Sequence, residues 1–312
     1  MKIVLVGGSG FLGQFVVRAF ADMGHECLVL TRSPVRARQF ALARNTRLVS
    51  ADVYSVQQLS ERFSGADAVI SMAGILNEKG FGGKGFRRVH VELLEGILQA
   101  CRNARVQRLL HVSALNAGRG ESHYLRSKGE AEELLHAAED VQVTIFQPSV
   151  IFGPGDGFFN RFAGLLRLAP VLPLACPASR LQPVYAADVA RVMAMAVGDS
   201  ALVGRTLQLG GPRDYALIEL VRWTAATLGL SRMVVPLPDA AARAQAAAMD
   251  FVPGKPFSTD NYLSLQLDNV APENAIFDFG FAPGTIENIV PEYLGQSARQ
   301  QRLAIQRQQA GR

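Results

Sequence analysis

The stretch KIVLVGGSGFLG, Lys2 to Gly13, decides the fold. A short β-branched run leads into Gly7-x-x-Gly10-x-x-Gly13. Phe11, Phe15, Ala19 and Met23 then follow at four-residue spacing, with Leu12 and Val16 widening the same apolar face and Gly24 where a helix C-cap belongs. Strand, glycine turn and amphipathic helix in that order begin a β-α-β unit. Glycine permits the tight turn, lets backbone approach a pyrophosphate and allows close helix-strand packing, while the helix N-terminus offers unpaired N–H groups to a phosphate. Gly7, Gly8, Ser9, Gly10, Phe11, Leu12 and Gly13 are therefore candidates for holding a dinucleotide.

The same rhythm continues. Residues 27–31, 47–50, 68–71, 108–113 and 142–147 read as further strands, mostly apolar, separated by helical patterns. Strands of that texture imply a parallel sheet covered on both faces and joined by right-handed crossovers. The expected fold is α/β, a doubly wound parallel sheet of Rossmann type with a small C-terminal cap domain. Residues 1–150 form the dinucleotide-binding domain and 151–312 the C-terminal part. Within the latter, the Pro- and Gly-dense 151–183 and the stretch 230–312 supply the cap, and 184–229 returns to the core.

With 49% hydrophobic and 19% charged residues, the 312-residue chain has the composition of an ordinary globular protein. Cys27, Cys101 and Cys176 are odd in number and lack metal or disulfide spacing, so a reducing cytosol is the expected location and no metal site is expected. The N-terminal apolar run breaks into glycines after Val6, which argues against a signal peptide, and Arg167, Pro170 and Pro173 interrupt the one long apolar stretch. Of the net charge of +5, Arg299, Arg302, Arg307 and Arg312 in the tail supply +4. The remainder is nearly neutral, which argues against a nucleic-acid-binding face. The basic tail is a solvated end or, alternatively, a contact for anionic lipid or an acidic partner, so peripheral attachment at an inner membrane is the variant on a cytosolic location.

The end of the second strand selects the cofactor, because an acid there accepts hydrogen bonds from the adenosine ribose and repels a 2′-phosphate. Thr31 and Arg32 stand there with no carboxylate, and Arg36 and Arg38 follow. NADP(H) is favoured over NAD(H). A solvated loop arginine is the plain alternative, above all for Arg36 and Arg38. Downstream, Tyr124 and Lys128 are spaced to share a helix face. A tyrosine near pKa 10 needs neighbouring positive charge to act as acid or base near neutrality, and Lys128 is the group to provide it. These two are the candidate catalytic residues; otherwise they only pack and anchor.

The glycine pattern, Asp52 after the third strand, MAG at 72–74, Tyr124-x-x-x-Lys128, QPSVIFGPGD at 147–156 and PVYAADVA at 183–190 together resemble the extended and atypical short-chain dehydrogenase/reductase superfamily. HVSALNA, YLRSKGEAE, FFNRFAGLLRLAPVLPL and DNVAPENAIFDFGFAPGTIENIVPEYL most resemble the branch that contains the NADPH-binding accessory subunit of respiratory complex I. The resemblance implies an NADPH-holding fold whose mitochondrial member is regarded as structural, with other relatives tied to ubiquinone synthesis. It also implies Asp52 with Val53 at the adenine, Ala73 with Gly74 along the cofactor, Ser113, Tyr124 and Lys128 at the nicotinamide half, and Pro148, Ser149 and Val150 bordering the nicotinamide.

Departures from the family pattern weaken the catalytic expectation. Redox-active members usually carry Ser or Thr just after the serine that ends the fifth strand; here Ser113 is followed by Ala114. Losing one oxyanion donor costs on the order of 10²–10³ in rate. Ser113, Asn116, Ser122 and His123 are the candidate substitutes. His90 replaces a frequent asparagine, Gln147 a frequent arginine and Tyr185 a frequent histidine. Two readings result: an NADPH-holding protein with a structural or redox-sensing role near quinone-dependent or respiratory machinery, and an NADPH-dependent oxidoreductase or epimerase acting on a carbonyl, quinone-like or sugar-nucleotide substrate. The apolar VVPLP and AAARAQAAAMDF of the cap suit a lipid-like, quinone-like or protein partner, with internal packing as the alternative.

Overall fold

The computed structural model describes residues 1–32 and 44–295. Seven strands form one parallel sheet: β1 (Lys2–Val6), β2 (Glu26–Thr31), β3 (Thr46–Ser50), β4 (Ala68–Ser71), β5 (Arg108–Val112), β6 (Gln142–Pro148) and β7 (Thr206–Leu209), in the order β3-β2-β1-β4-β5-β6-β7. Chain direction across the sheet reverses beside β1, so a crevice opens between the C-terminal ends of β1 and β4.

Period-two alternation divides β1 between two cores. Ile3 and Leu5 pack with α1 (Phe11–Asp22) on one face. Val4 and Val6 pack on the other with α2 (Val56–Phe63), the second helix of a pair and α5 (His123–His136). That pair is α3 (Lys84–Arg87) and α4 (Leu93–Ala104), joined by a π turn at Arg88–Glu92 that carries His90 inward. The buried stripe of α1 is Gly13, Val16, Val17 and Phe20. Phe11, Phe15 and Ala19 are only partly buried and Met23 is exposed, so the four-residue spacing read from the sequence runs along the edge of the true face.

The segment 184–229 is shared. Helix α7 (Ala186–Ala196) joins the first core and packs on α1, and Thr206–Leu209 extends the sheet beside β6. The buried Arg108 fixes this return: its guanidinium donates to the Ala196, Val197 and Gln142 carbonyls at 2.7 to 3.0 Å, at the negative end of α7. A third core gathers α6 (Phe159–Leu168), α8 (Leu217–Thr227) and α11 (Ile286–Leu294). Finally α9 (Asp239–Met249) meets α10 (Thr259–Ser264) through Ala242, Ala246 and Tyr262. No helix among the described residues is long and apolar enough to cross a membrane.

Candidate functional site

The glycine turn is built by steric necessity. Gly7 has φ +87°, and a Cβ there would stand 2.6 Å from the Ala73 nitrogen, so this glycine lets the ends of β1 and β4 meet. Gly10 opens α1 with no side chain capping it, which leaves first-turn N–H groups directed into the crevice. Ser9, Phe11 and Leu12 are partly open beside it. This is a cradle fit for a pyrophosphate.

At the neighbouring strand tips, Ala51 N–H donates to the Thr31 carbonyl at 3.3 Å, bringing Thr31 and Arg32 alongside Asp52 and Val53. Thr31 is buried and Arg32 exposed. Asp52 accepts from Tyr54 N–H at 3.0 Å and its own N–H donates to Gln58 Oε1, an arrangement that stiffens this corner. Arg36 and Arg38 lie outside the described residues, as do the arginines of the tail.

Tyr124 and Lys128 do share one face of α5. Ser122 caps the helix through Leu125 N–H at 3.1 Å, and Asp260 of α10 accepts from His123 N–H at 2.6 Å and Tyr124 N–H at 3.2 Å. Phe86 and His90 hold the Tyr124 ring edge-on, with centroids 6.0 and 5.6 Å away. Burial, with the Asp260 charge adding to it, pushes the Tyr124 hydroxyl up to about 12. Burial pushes the Lys128 ammonium down to about 8, against the opposing pull of Glu132. Lys128 Nζ donates to the Val112 carbonyl at 3.1 Å, which leaves two of its three protons for a ligand.

Gly74 lies at the meeting point: a Cβ there would be 3.8 Å from Lys128 Nζ and 3.7 Å from His90 Nε2. His90 Nε2 accepts from Ile75 N–H at 3.3 Å, which makes Nδ1 the protonated nitrogen, donating to Ser127 Oγ at 2.8 Å; that hydroxyl donates to the Tyr124 carbonyl at 2.9 Å. Burial and the Lys128 charge hold His90 down to about 2, so it is neutral. The histidine therefore ties the loop after β4 directly to the Tyr124 helix.

The third part of the site lies at the ends of β5 and β6. Leu115 N–H donates to the Pro148 carbonyl at 3.1 Å, so Pro148 stands beside Ala114. Ala114 is buried and offers no donor. Ser113 Oγ is buried without a partner, as are both ring nitrogens of His111 two residues earlier on the same face. Ser149 is engaged elsewhere, 2.6 Å from Asn269 Oδ1 and accepting from Gln182 N–H at 3.2 Å. Val150 packs in the third core. Of the other departures, Gln147 Nε2 donates to Glu132 at 2.9 Å and Tyr185 stacks among Phe15 and Phe152. Asp260 escaped the sequence reading; its signal was the capping box Ser258-x-x-Asn261 around it.

A family model described as NAD(P)H-binding matches residues 7–157. The chain is 31% identical over 243 residues to the ceramide reductase of Caulobacter vibrioides, an alignment covering 76% of this chain and 74% of that one. It is 28% identical over 291 residues to the mitochondrial NADH dehydrogenase [ubiquinone] 1 alpha subcomplex subunit 9 of Mus musculus, covering 90% and 76%. Among solved structures, a double mutant of the dTDP-glucose 4,6-dehydratase DesIV of Streptomyces venezuelae, with NAD bound, superposes with a TM-score of 0.74 at 19% identity over 94% of this chain and 96% of that one. The sheet order, the glycine cradle and these likenesses make the chain a nicotinamide-dinucleotide-binding member of the extended, atypical short-chain dehydrogenase/reductase superfamily, related to complex I alpha subcomplex subunit 9.

Proposed function

We propose that the chain binds NADP(H) and keeps it as a slowly exchanging structural or redox-sensing ligand, held by the glycine cradle and by Lys128. The observation that carries this reading is the contrast at the nicotinamide end. Lys128 retains unspent donors for ribose hydroxyls, whereas the position that orients a substrate carbonyl is Ala114, and the hydroxyl of its chain neighbour Ser113 is sealed in the core. Lys128, Gly74 and Tyr124 would flank the nicotinamide ribose, and Ala73 would line the cofactor where the β1 turn meets it. A bound nicotinamide supplies a hydride; the residues here supply grip and exclude water. The relationship to a mitochondrial complex I subunit favours a role near respiratory, quinone-dependent machinery.

The second reading, reduction of an apolar carbonyl, has its own observation. Tyr124 shares one face of α5 with Lys128 and keeps its proton at neutral pH, although its rise to about 12 makes it a weaker acid than a free tyrosine, and the relative in Caulobacter vibrioides is named a ceramide reductase. Protein purified without added nucleotide separates the two. Mass analysis is expected to find retained NADPH that dissociates slowly and stays unoxidised across a panel of quinones and carbonyls. Rapid exchange with substrate-dependent oxidation would replace the first reading by the second.

NADP(H) is preferred because the β2 tip presents Arg32 and no carboxylate to the adenosine ribose. One charge-assisted contact to a 2′-phosphate is worth about 1.5–3 kcal/mol. Arg32→Ala is therefore expected to weaken NADPH about 10- to 100-fold in a fluorescence titration and leave NADH nearly unchanged. Equal losses for both would remove Arg32 as the selector.

A further inference from the structure

Where the loop after β4 meets the cap, four apolar side chains stand outside every core: Leu76, Phe81, Phe251 and Val252. Phe81 is 62% and Phe251 81% exposed, far more than a packing role requires. Their rings touch, with centroids 5.8 Å apart, so a single patch spans the seam. The seam is pinned from both sides. Asn77 Nδ2 donates to the Lys255 carbonyl at 3.1 Å, Lys255 Nζ donates to the Gly80 carbonyl at 2.6 Å, and the same ammonium stands 4.3 Å over the Phe81 ring. The rings are thus held outward by polar ties behind them.

Cations outnumber acids around the patch. In residues 76–84 and 250–258 the cations are Lys79, Lys84 and Lys255, and the acids are Glu78 and Asp250. Glu78 is buried and accepts from Gly83 and Gly85 N–H at 2.7 and 2.8 Å; Asp250 is spent on Thr259. Arg161, exposed, joins the rim by donating to the Pro256 carbonyl. Protruding aromatic rings beside a cationic excess match a surface that is apolar just beneath a layer of negative charge.

We propose that this patch docks the protein on an anionic lipid bilayer. The location gives the contact a use. Gly83 packs on His123, where a Cβ would come within 2.7 Å of the imidazole, and Asn261 Nδ2 reaches the Leu76 carbonyl at 3.4 Å, so the patch borders the N-terminal end of the Tyr124 helix. A chain-like apolar molecule leaving the bilayer at Phe81 and Phe251 arrives beside Tyr124. The docking stands apart from the choice between a held and a turned-over dinucleotide, because it draws on neither Lys128 nor Ala114.

The test is sedimentation of the full chain with vesicles of phosphatidylglycerol and phosphatidylcholine, and with phosphatidylcholine alone. The wild type is expected to partition onto the anionic vesicles. Phe81→Ser with Phe251→Ser should lower that partition at least about tenfold, and Lys79→Gln with Lys84→Gln about fivefold per charge, with the thermal midpoint unchanged because all four side chains are exposed. The proposal is overturned if the wild type ignores anionic vesicles. It is equally overturned if the serine pair binds like the wild type, which would assign binding to another part such as the basic tail. A wild-type dimer that the serine pair converts to monomer, with no vesicle binding, would show a second copy covering the patch and overturn it too.

Discussion

Lys128→Met is expected to lower NADPH affinity by about 10²–10⁴ while the free protein folds at least as well as the wild type. Two charge-assisted hydrogen bonds to ribose hydroxyls, at about 1.5–3 kcal/mol each, set the scale of the loss. The stability half follows from burial. Lys128 falls from its ordinary 10.5 to about 8 because the folded protein desolvates the ammonium, so below pH 8 the fold carries the cost of a buried charge. With a folded pKa below the unfolded one, that cost is fully present under pH 8 and disappears as pH rises from about 8 to 10.5, roughly 3 kcal/mol across the window. Wild-type stability should therefore rise over that window and the Met variant should not. NADPH affinity should move the opposite way in the wild type, falling as the ammonium is lost, and be flat in the variant. Isothermal titration and urea melts from pH 7 to 10 check both; an affinity untouched by the substitution would remove Lys128 from the cofactor site.

Gly13→Ala is expected to be as damaging as any single change in the chain. A Cβ there would fall 2.1 Å from the Gly8 carbonyl oxygen and 2.4 Å from its carbon, and neither is the movable end of a flexible side chain. The helix must retreat from the turn. The overlap should cost roughly 3–5 kcal/mol of stability and at least about 10² in dinucleotide affinity. Gly10→Ala is the control: its Cβ would meet only the Gly7 carbonyl oxygen, at 3.4 Å, and its φ of −91° suits alanine. That variant should keep the urea midpoint and lose only affinity. A Gly13→Ala protein with native midpoint and native binding would show that close packing of helix on strand is not what the third glycine supplies.

The sheet was legible because its signal is local and repeated. A β-branched run bounded by glycine or by a helical period identifies a strand wherever it occurs, and the six strands read this way all pair in the sheet. The seventh, Thr206–Leu209, has only four residues and shows in the sequence merely as a resumed rhythm; its place beside β6 depends on the distant grip of Arg108 on the end of α7. The α1 face was misjudged by about one position because apolar residues surround that helix, and Val17 and Phe20 lie inward although they break the four-residue series. In the site, the glycines and the Tyr124 to Lys128 spacing were readable because each requirement lies within one turn or one helix. The His90 link to Ile75 and Ser127 is a product of tertiary folding and leaves no local pattern; for Asp260 the capping box marks only the start of α10, and its clamp on α5 from 136 residues away is likewise tertiary.

The Asp260 clamp makes the cap an electrical part of the tyrosine site. Its carboxylate satisfies two backbone N–H groups at the positive end of α5 and at the same time opposes ionisation of Tyr124. Swinging α10 outward would free both N–H groups, withdraw a negative charge and let the phenol become more acidic. Whatever binds preferentially to the displaced cap therefore favours the more acidic tyrosine, and by reciprocity a ligand that prefers the phenolate loosens the cap. The seat of α10 and the proton affinity of Tyr124 are thus coupled through one carboxylate, a contribution that adds to the larger effect of burial.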